Sequence, residues 1–145
     1  MDPNIRREII LDNYTNPENK ASVNDNKYIK VNTNNSSCID NLDIWVDFED
    51  DRIKDIKFDG EACAISTASA SIMTKKLIGK TIDEVEYYIK NFDAMINEID
   101  YDADSLGEAL VFDEIYKQAN RKNCATLPYK GILKAIDEYK TKNEQ

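Results

Sequence analysis

The chain has 145 residues, 41% of them hydrophobic and 32% charged, with a formal net charge of −9 and no histidine. That length makes one ordinary domain, 1–145, able to bury a core without staples, and the composition is that of a globular rather than a disordered protein. The acidic balance supplies no cationic stripe to neutralise phosphates, which argues against a nucleic-acid partner. No apolar run approaches the roughly 20 residues that span a bilayer, and Met1-Asp2-Pro3-Asn4 carries neither the basic nor the apolar region of a signal peptide. The expectation is a cytoplasmic protein without membrane contact, whose thiols stay reduced.

In chain order, Asp2 caps a first helix with Pro3 at its first position, and Ile5, Ile9, Ile10 and Tyr14 recur at helical spacing until Asn16-Pro17 stops it. Residues 18–27 read as a polar loop, and Tyr28 to Val31 as a short strand. Leu42, Ile44, Val46 and Phe48 alternate with Asp43, Trp45 and Asp47, the pattern of a half-buried strand. Glu49-Asp50-Asp51 turns, and Arg52 to Asp59 returns with one break in alternation that suits a bulge. From Ala64 to Ile78 the period is helical, and the small run Ser66 to Ser71 lets that helix lie close to a sheet. Gly79 fits a left-handed cap, and Thr81 with Glu84 forms a capping box for a further helix through Phe92. Residues 93–104 are acidic and read as loop. Ser105 is predicted to cap a helix through Tyr116, and a last helix is predicted from about Ala125 to Tyr139, with Pro128 in its first turn and 140–145 as a flexible tail. Strands first and helices after make this an α+β fold, a small antiparallel sheet of about three strands with helices packed on it.

Without histidine, the commonest general base and zinc ligand is missing, and chemistry near neutral pH falls to thiolates, carboxylates, lysine or a bound metal. The three cysteines, Cys38, Cys63 and Cys124, lie 25 and 61 residues apart and match no Cys-x-x-Cys pair, so spacing alone assigns no metal. Taken singly, a free cysteine is commonly a small buried residue. Local context weighs the other way. Cys38 stands in the polar stretch Ser36-Ser37-Cys38-Ile39-Asp40, Cys63 follows Gly60-Glu61 at a strand-to-helix junction, and Cys124 is expected to begin a helix, where the dipole favours thiolate. Tetrahedral zinc needs a fourth donor. Asp40 can supply it from two residues beyond Cys38, or be an ordinary turn carboxylate. Arg121, three residues before Cys124, can offset the charge of such a site or be a solvated surface group. The acidic clusters 47–51 and 100–104 lack the spacing of a calcium loop.

These residues, read together, resemble the IscU/NifU-N family of iron–sulfur assembly proteins and, within it, the SufU branch. The carriers are Arg7 to Tyr14, Asn16 to Asn19, Cys38-Ile39-Asp40, Phe58 to Ser66, Ala68 to Ser71, Gly79-Lys80-Thr81 and Arg121 to Leu127, spanning about residues 5 to 137. Asn123 stands where IscU-type proteins carry a histidine, and 93–121 supplies the insertion of the SufU type. Ile39 occupies the place of the family's glycine.

The resemblance implies a SufE/NifU-like fold and a Zn²⁺ site of Cys38, Asp40, Cys63 and Cys124. It implies a sulfurtransferase-like protein whose Cys38 accepts persulfide sulfur from a PLP-dependent, SufS-like cysteine desulfurase. The sulfur then passes to a downstream iron–sulfur scaffold or apo-protein. Arg121 is implied in productive contact with the desulfurase. Two alternatives stay open: a scaffold that builds a [2Fe–2S] cluster, or holds Fe, on the same ligands, and a non-catalytic zinc module that activates the desulfurase allosterically.

Overall fold

A computed structural model describes residues 1–35 and 39–144. Its α-helices are α1 (Pro3–Thr15), α2 (Ala64–Leu77), α3 (Ile82–Ile96) and α4 (Ala119–Asn143), and its strands are β1 (Ile29–Asn34), β2 (Asn41–Glu49) and β3 (Arg52–Glu61). The strands form one antiparallel sheet in the order β1-β2-β3. The predicted α+β class and three-stranded meander are therefore what the chain forms. Among the described residues no helix is long and apolar enough to cross a membrane.

Local chemistry accounts for most element ends. Asp2 Oδ1 accepts the Asn4 N–H at 2.7 Å ahead of Pro3, and Thr81 and Glu84 complete their reciprocal capping box on α3. The β2–β3 turn places Asp50 and Asp51 at φ 53 and 59. Positive φ at both central residues is the type I′ geometry that matches strand twist. Asp47 faces Asp55 while Phe48 faces Ile53, so Lys54 is the extra residue of the bulge read from the sequence.

β2 is more enclosed than strict alternation implies, since Trp45 and Asp47 are also buried. The segment 19–28 runs against that sheet. The Ala21 N–H donates to the Phe58 carbonyl at 2.9 Å, Lys27 pairs with Asp47, and Tyr28 donates to Asp55 at 2.6 Å.

Leu42, Ile44, Val46, Ile53, Ile56 and Phe58 from the sheet meet Ala68, Ile72, Met73 and Leu77 of α2 and Ile132 and Ile136 of α4 in one core. Gly131 lets α4 lie on the sheet, since a Cβ there would fall 2.5 Å from Ile44 Cδ1. The small run of α2 has a further use. Residues 66–74 are buried on every side, because α2 packs on α1, α4 and β3 at once. Buried hydroxyls need partners in such a place. Ser71 donates to Asn13 Oδ1 of α1 at 2.8 Å, and Ser69 donates to the Ala125 carbonyl of α4 at 2.6 Å.

Several predictions differ from the structure, the first at α3, which continues past Phe92 to Ile96, with Met95 and Ile96 buried, into the stretch read as loop. The helix expected after Ser105 is instead a string of 3-10 turns at Ala103–Ser105, Gly107–Phe112 and Ile115–Lys117. Ser105 donates its hydroxyl back to the Asp102 carbonyl at 2.7 Å instead of capping, and Gly107 takes φ +56, which ends a right-handed run. Asp113 is held by Arg6 of α1 at 2.7 Å.

The last helix begins six residues earlier than predicted, at Ala119, and continues to Asn143 through most of the expected tail. Lys140 is anchored there by Glu86 at 3.2 Å. Pro128 therefore lies deep inside α4 rather than in its first turn. Its missing N–H frees the Cys124 carbonyl, which accepts the Ser66 hydroxyl of α2 at 3.0 Å.

Candidate metal centre

The β2–β3 pairing Asn41↔Glu61 and Leu42↔Gly60 brings the residue before β2, Asp40, beside the residues after β3. Gly60 makes that approach possible. It sits at φ +134, and a Cβ on it would overlap the Asn41 carbonyl oxygen. Two residues beyond β3, Cys63 is the N-cap of α2, and its Sγ accepts the Ser66 N–H at 3.4 Å. The packing of α4 against α2 delivers Cys124 from the other side.

One ligand atom from each of Asp40, Cys63 and Cys124 lies within 4.8 Å of the others. Asp40 is only 1% exposed and Cys124 4%; Cys63 is half-buried. The Asp40 carboxylate is clamped by two donors. Its Oδ1 accepts the Cys63 N–H at 2.7 Å, and its Oδ2 accepts the Ser66 hydroxyl at 2.7 Å. Cys63 Sγ stands 3.7 Å from Oδ2. The Cys124 thiol is directed at the Asn120 carbonyl at 3.6 Å. Burial pushes the Cys124 thiol pKa well up, and the neighbouring Cys63 and Asp40 push it further.

Cys124 thus corrects the sequence reading. It is in the second turn of α4, not at its start, and burial raises its thiol pKa where a helix N-terminus would lower it. Cys63 holds the helix N-terminus instead.

The donor set fits zinc or another thiophilic ion. Bond lengths of about 2.3 Å to sulfur and 2.0 Å to oxygen give a tetrahedron with edges of roughly 3.5–3.8 Å, and the Cys63–Asp40 separation of 3.7 Å is such an edge. These three residues offer one face of the polyhedron and can bind a metal. Cys38, the expected fourth member, lies outside the described residues. Ile39 is 71% exposed. Arg121 is exposed in the first turn of α4, one turn ahead of Cys124, and makes no ion pair among the described residues.

Sequence reasoning passed over Ser66, which touches the site from three sides: Asp40, Cys63 and the Cys124 backbone. The signal was its spacing. Three residues after a helix N-cap, a side chain turns back to the cap.

The family model described as NifU-like N terminal domain matches residues 5–145. The chain belongs to the NifU-like N-terminal domain family. Two relatives are similar to it over most of their length. The zinc-dependent sulfurtransferase SufU of Bacillus subtilis (strain 168) is 37% identical over 131 residues, covering 90% of this chain and 88% of that one. The iron–sulfur cluster assembly scaffold protein IscU of Streptococcus pyogenes serotype M1 is 37% identical over 107 residues, covering 73% and 67%. Among solved structures, an iron–sulfur cluster assembly scaffold protein for the SUF system from Fervidobacterium islandicum AW-1 superposes with a TM-score of 0.85 at 31% identity, covering 89% and 94%. The NifU-like chain is thus a member of an iron–sulfur cluster assembly family, as its motifs indicated, with an α+β fold shared across that family.

Proposed function

We propose that this chain is a zinc-bound sulfur-transfer protein of iron–sulfur cluster assembly, with Cys38 as the sulfur acceptor. The observation that carries the reading is the convergence of Asp40, Cys63 and Cys124 to within 4.8 Å. The similarity to a zinc-dependent sulfurtransferase over 90% of the chain supports it. Cys38 completes the ligand set, and Zn²⁺ when bound keeps its thiolate ligands deprotonated and shields them.

The sulfur donor is a cysteine persulfide on a PLP-dependent, SufS-like cysteine desulfurase. The Cys38 thiolate attacks the outer sulfur of that persulfide. A new S–S bond forms on Cys38, the donor's S–S bond breaks, and the donor cysteine leaves as thiolate, with no net redox change. Cys63, Cys124 and Asp40 stay in place as the frame. The exposed guanidinium of Arg121 meets the partner on the face next to Cys124. The product persulfide passes to a downstream scaffold or apo-protein.

Similarity to IscU scaffolds favours a second reading, in which the same ligands assemble a [2Fe–2S] cluster.

The test is peptide mass spectrometry after incubation with a cysteine desulfurase and cysteine. Added sulfur should map to the Cys38 peptide, and Cys38→Ser should take up none. Sulfur found only on Cys63 or Cys124, or undiminished uptake by Cys38→Ser, contradicts the assignment.

A further inference from the structure

We infer that Ser66 is a positioning residue of the metal centre, whose hydroxyl fixes the Asp40 carboxylate for ligation and ties it to the α4 backbone that carries Cys124. The inference rests on the metal site proposed above. Ser66 is fully buried, and its Oγ lies 2.7 Å from Asp40 Oδ2 and 3.0 Å from the Cys124 carbonyl oxygen. Cys63 Sγ is 3.6 Å from the same oxygen. One hydroxyl therefore touches all three residues of the cluster, and they come from three separate stretches of chain.

Pro128 leaves the Cys124 carbonyl available for this contact. In an unbroken helix the carbonyl of Cys124 would accept the N–H four residues on, but proline has none. The Cys124 carbonyl therefore lacks its usual helical partner, and it accepts from Ser66 at 3.0 Å. Ser66 carries one proton for two acceptors. An ionised carboxylate is the stronger acceptor of the two, so the hydroxyl favours Asp40 when that group is charged and ligating.

The Cys63 N–H holds Oδ1 and Ser66 holds Oδ2. These two contacts orient the carboxylate beside the two sulfurs. Removing the hydroxyl takes away the 2.7 Å contact that fixes Oδ2, so the way Asp40 would ligate a metal should change. The change should be visible in the coordination number, not only in affinity. Outer partners of metal ligands act in this way and typically contribute 10–100-fold to affinity.

The experiment is a double-mutant cycle read by zinc affinity, from competition with a chromophoric chelator, for wild type, S66A, D40A and S66A/D40A. The visible spectrum of the Co²⁺-loaded proteins and the melting of the metal-free proteins are recorded alongside. S66A should bind zinc about 10–100-fold more weakly, with altered Co²⁺ ligand-field bands and an intact cooperative melt. S66T, which keeps the hydroxyl, should recover most of the affinity. In the D40A background the same substitution should cost less than about twofold, because the ligand it positions is gone. An S66A loss of equal size with and without Asp40, or wild-type affinity and spectrum in S66A, overturns the assignment. A wild-type protein that binds no zinc overturns this inference together with the metal reading, whereas zinc binding that is indifferent to S66A overturns the inference alone.

Discussion

Asp40→Ala should weaken zinc binding on the order of a few hundred-fold while leaving the metal-free protein folded. Structural zinc in thiolate-rich sites binds with roughly 10–16 kcal/mol, so one donor of four is worth about 2.5–4 kcal/mol. Two opposing effects act on the metal-free protein. The substitution strips the Cys63 N–H of its acceptor at 2.7 Å, a loss of about 1–3 kcal/mol. It also removes a carboxylate that is 1% exposed beside two sulfurs, which relieves desolvation. The signature is therefore selective. Melting without metal should move little, and the stabilisation gained on adding zinc should shrink with the affinity, as linkage requires. Equal zinc-induced stabilisation in both proteins would exclude Asp40 from the ligand set.

Gly60→Ala should do the reverse, striking the fold first. A Cβ would overlap the Asn41 carbonyl oxygen, and the backbone is held at φ +134. Strain in such a region is about 1–3 kcal/mol, and overpacking against rigid backbone adds a similar amount. A loss of about 3 kcal/mol, or roughly 6–12 °C in melting temperature for a chain of this size, is expected even without metal. Because Asn41 follows Asp40, zinc binding should weaken as well. A melting temperature within a degree of wild type would show that β2 and β3 do not need this close approach.

Much of this architecture is legible locally. Asp2-Pro3, the bulge and the Thr81/Glu84 box each act within a few residues and form as read, whereas in β2 Trp45 and Asp47 are buried along with the alternating face. The departures turn on contacts and backbone angles that local patterning does not show. Pro128 argued for a late start to α4, because the hydroxyl that satisfies its orphaned carbonyl belongs to Ser66 of α2. Ser105 looked like a cap, yet Gly107 and the Arg6 contacts to Asp113 and Glu114 set that segment into 3-10 turns.

The site follows the same rule. Cys63 at a strand-to-helix junction and Asp40 before a strand were visible as candidates. The thiol of Cys124 differs from its reading because burial and its neighbours Cys63 and Asp40, from distant parts of the chain, set its environment rather than its own helix terminus. Ser66 escaped notice because small residues in a helix read as packing, and only the third dimension shows which of them faces a carboxylate.

The most direct measurement is elemental analysis of the purified, tag-free protein with an absorbance spectrum of the same sample. About one zinc per chain and no visible band is the predicted result, and it establishes the Cys–Asp site. Zinc-free protein, or iron with a brown colour, would contradict the zinc-bound transfer reading and put cluster assembly in its place.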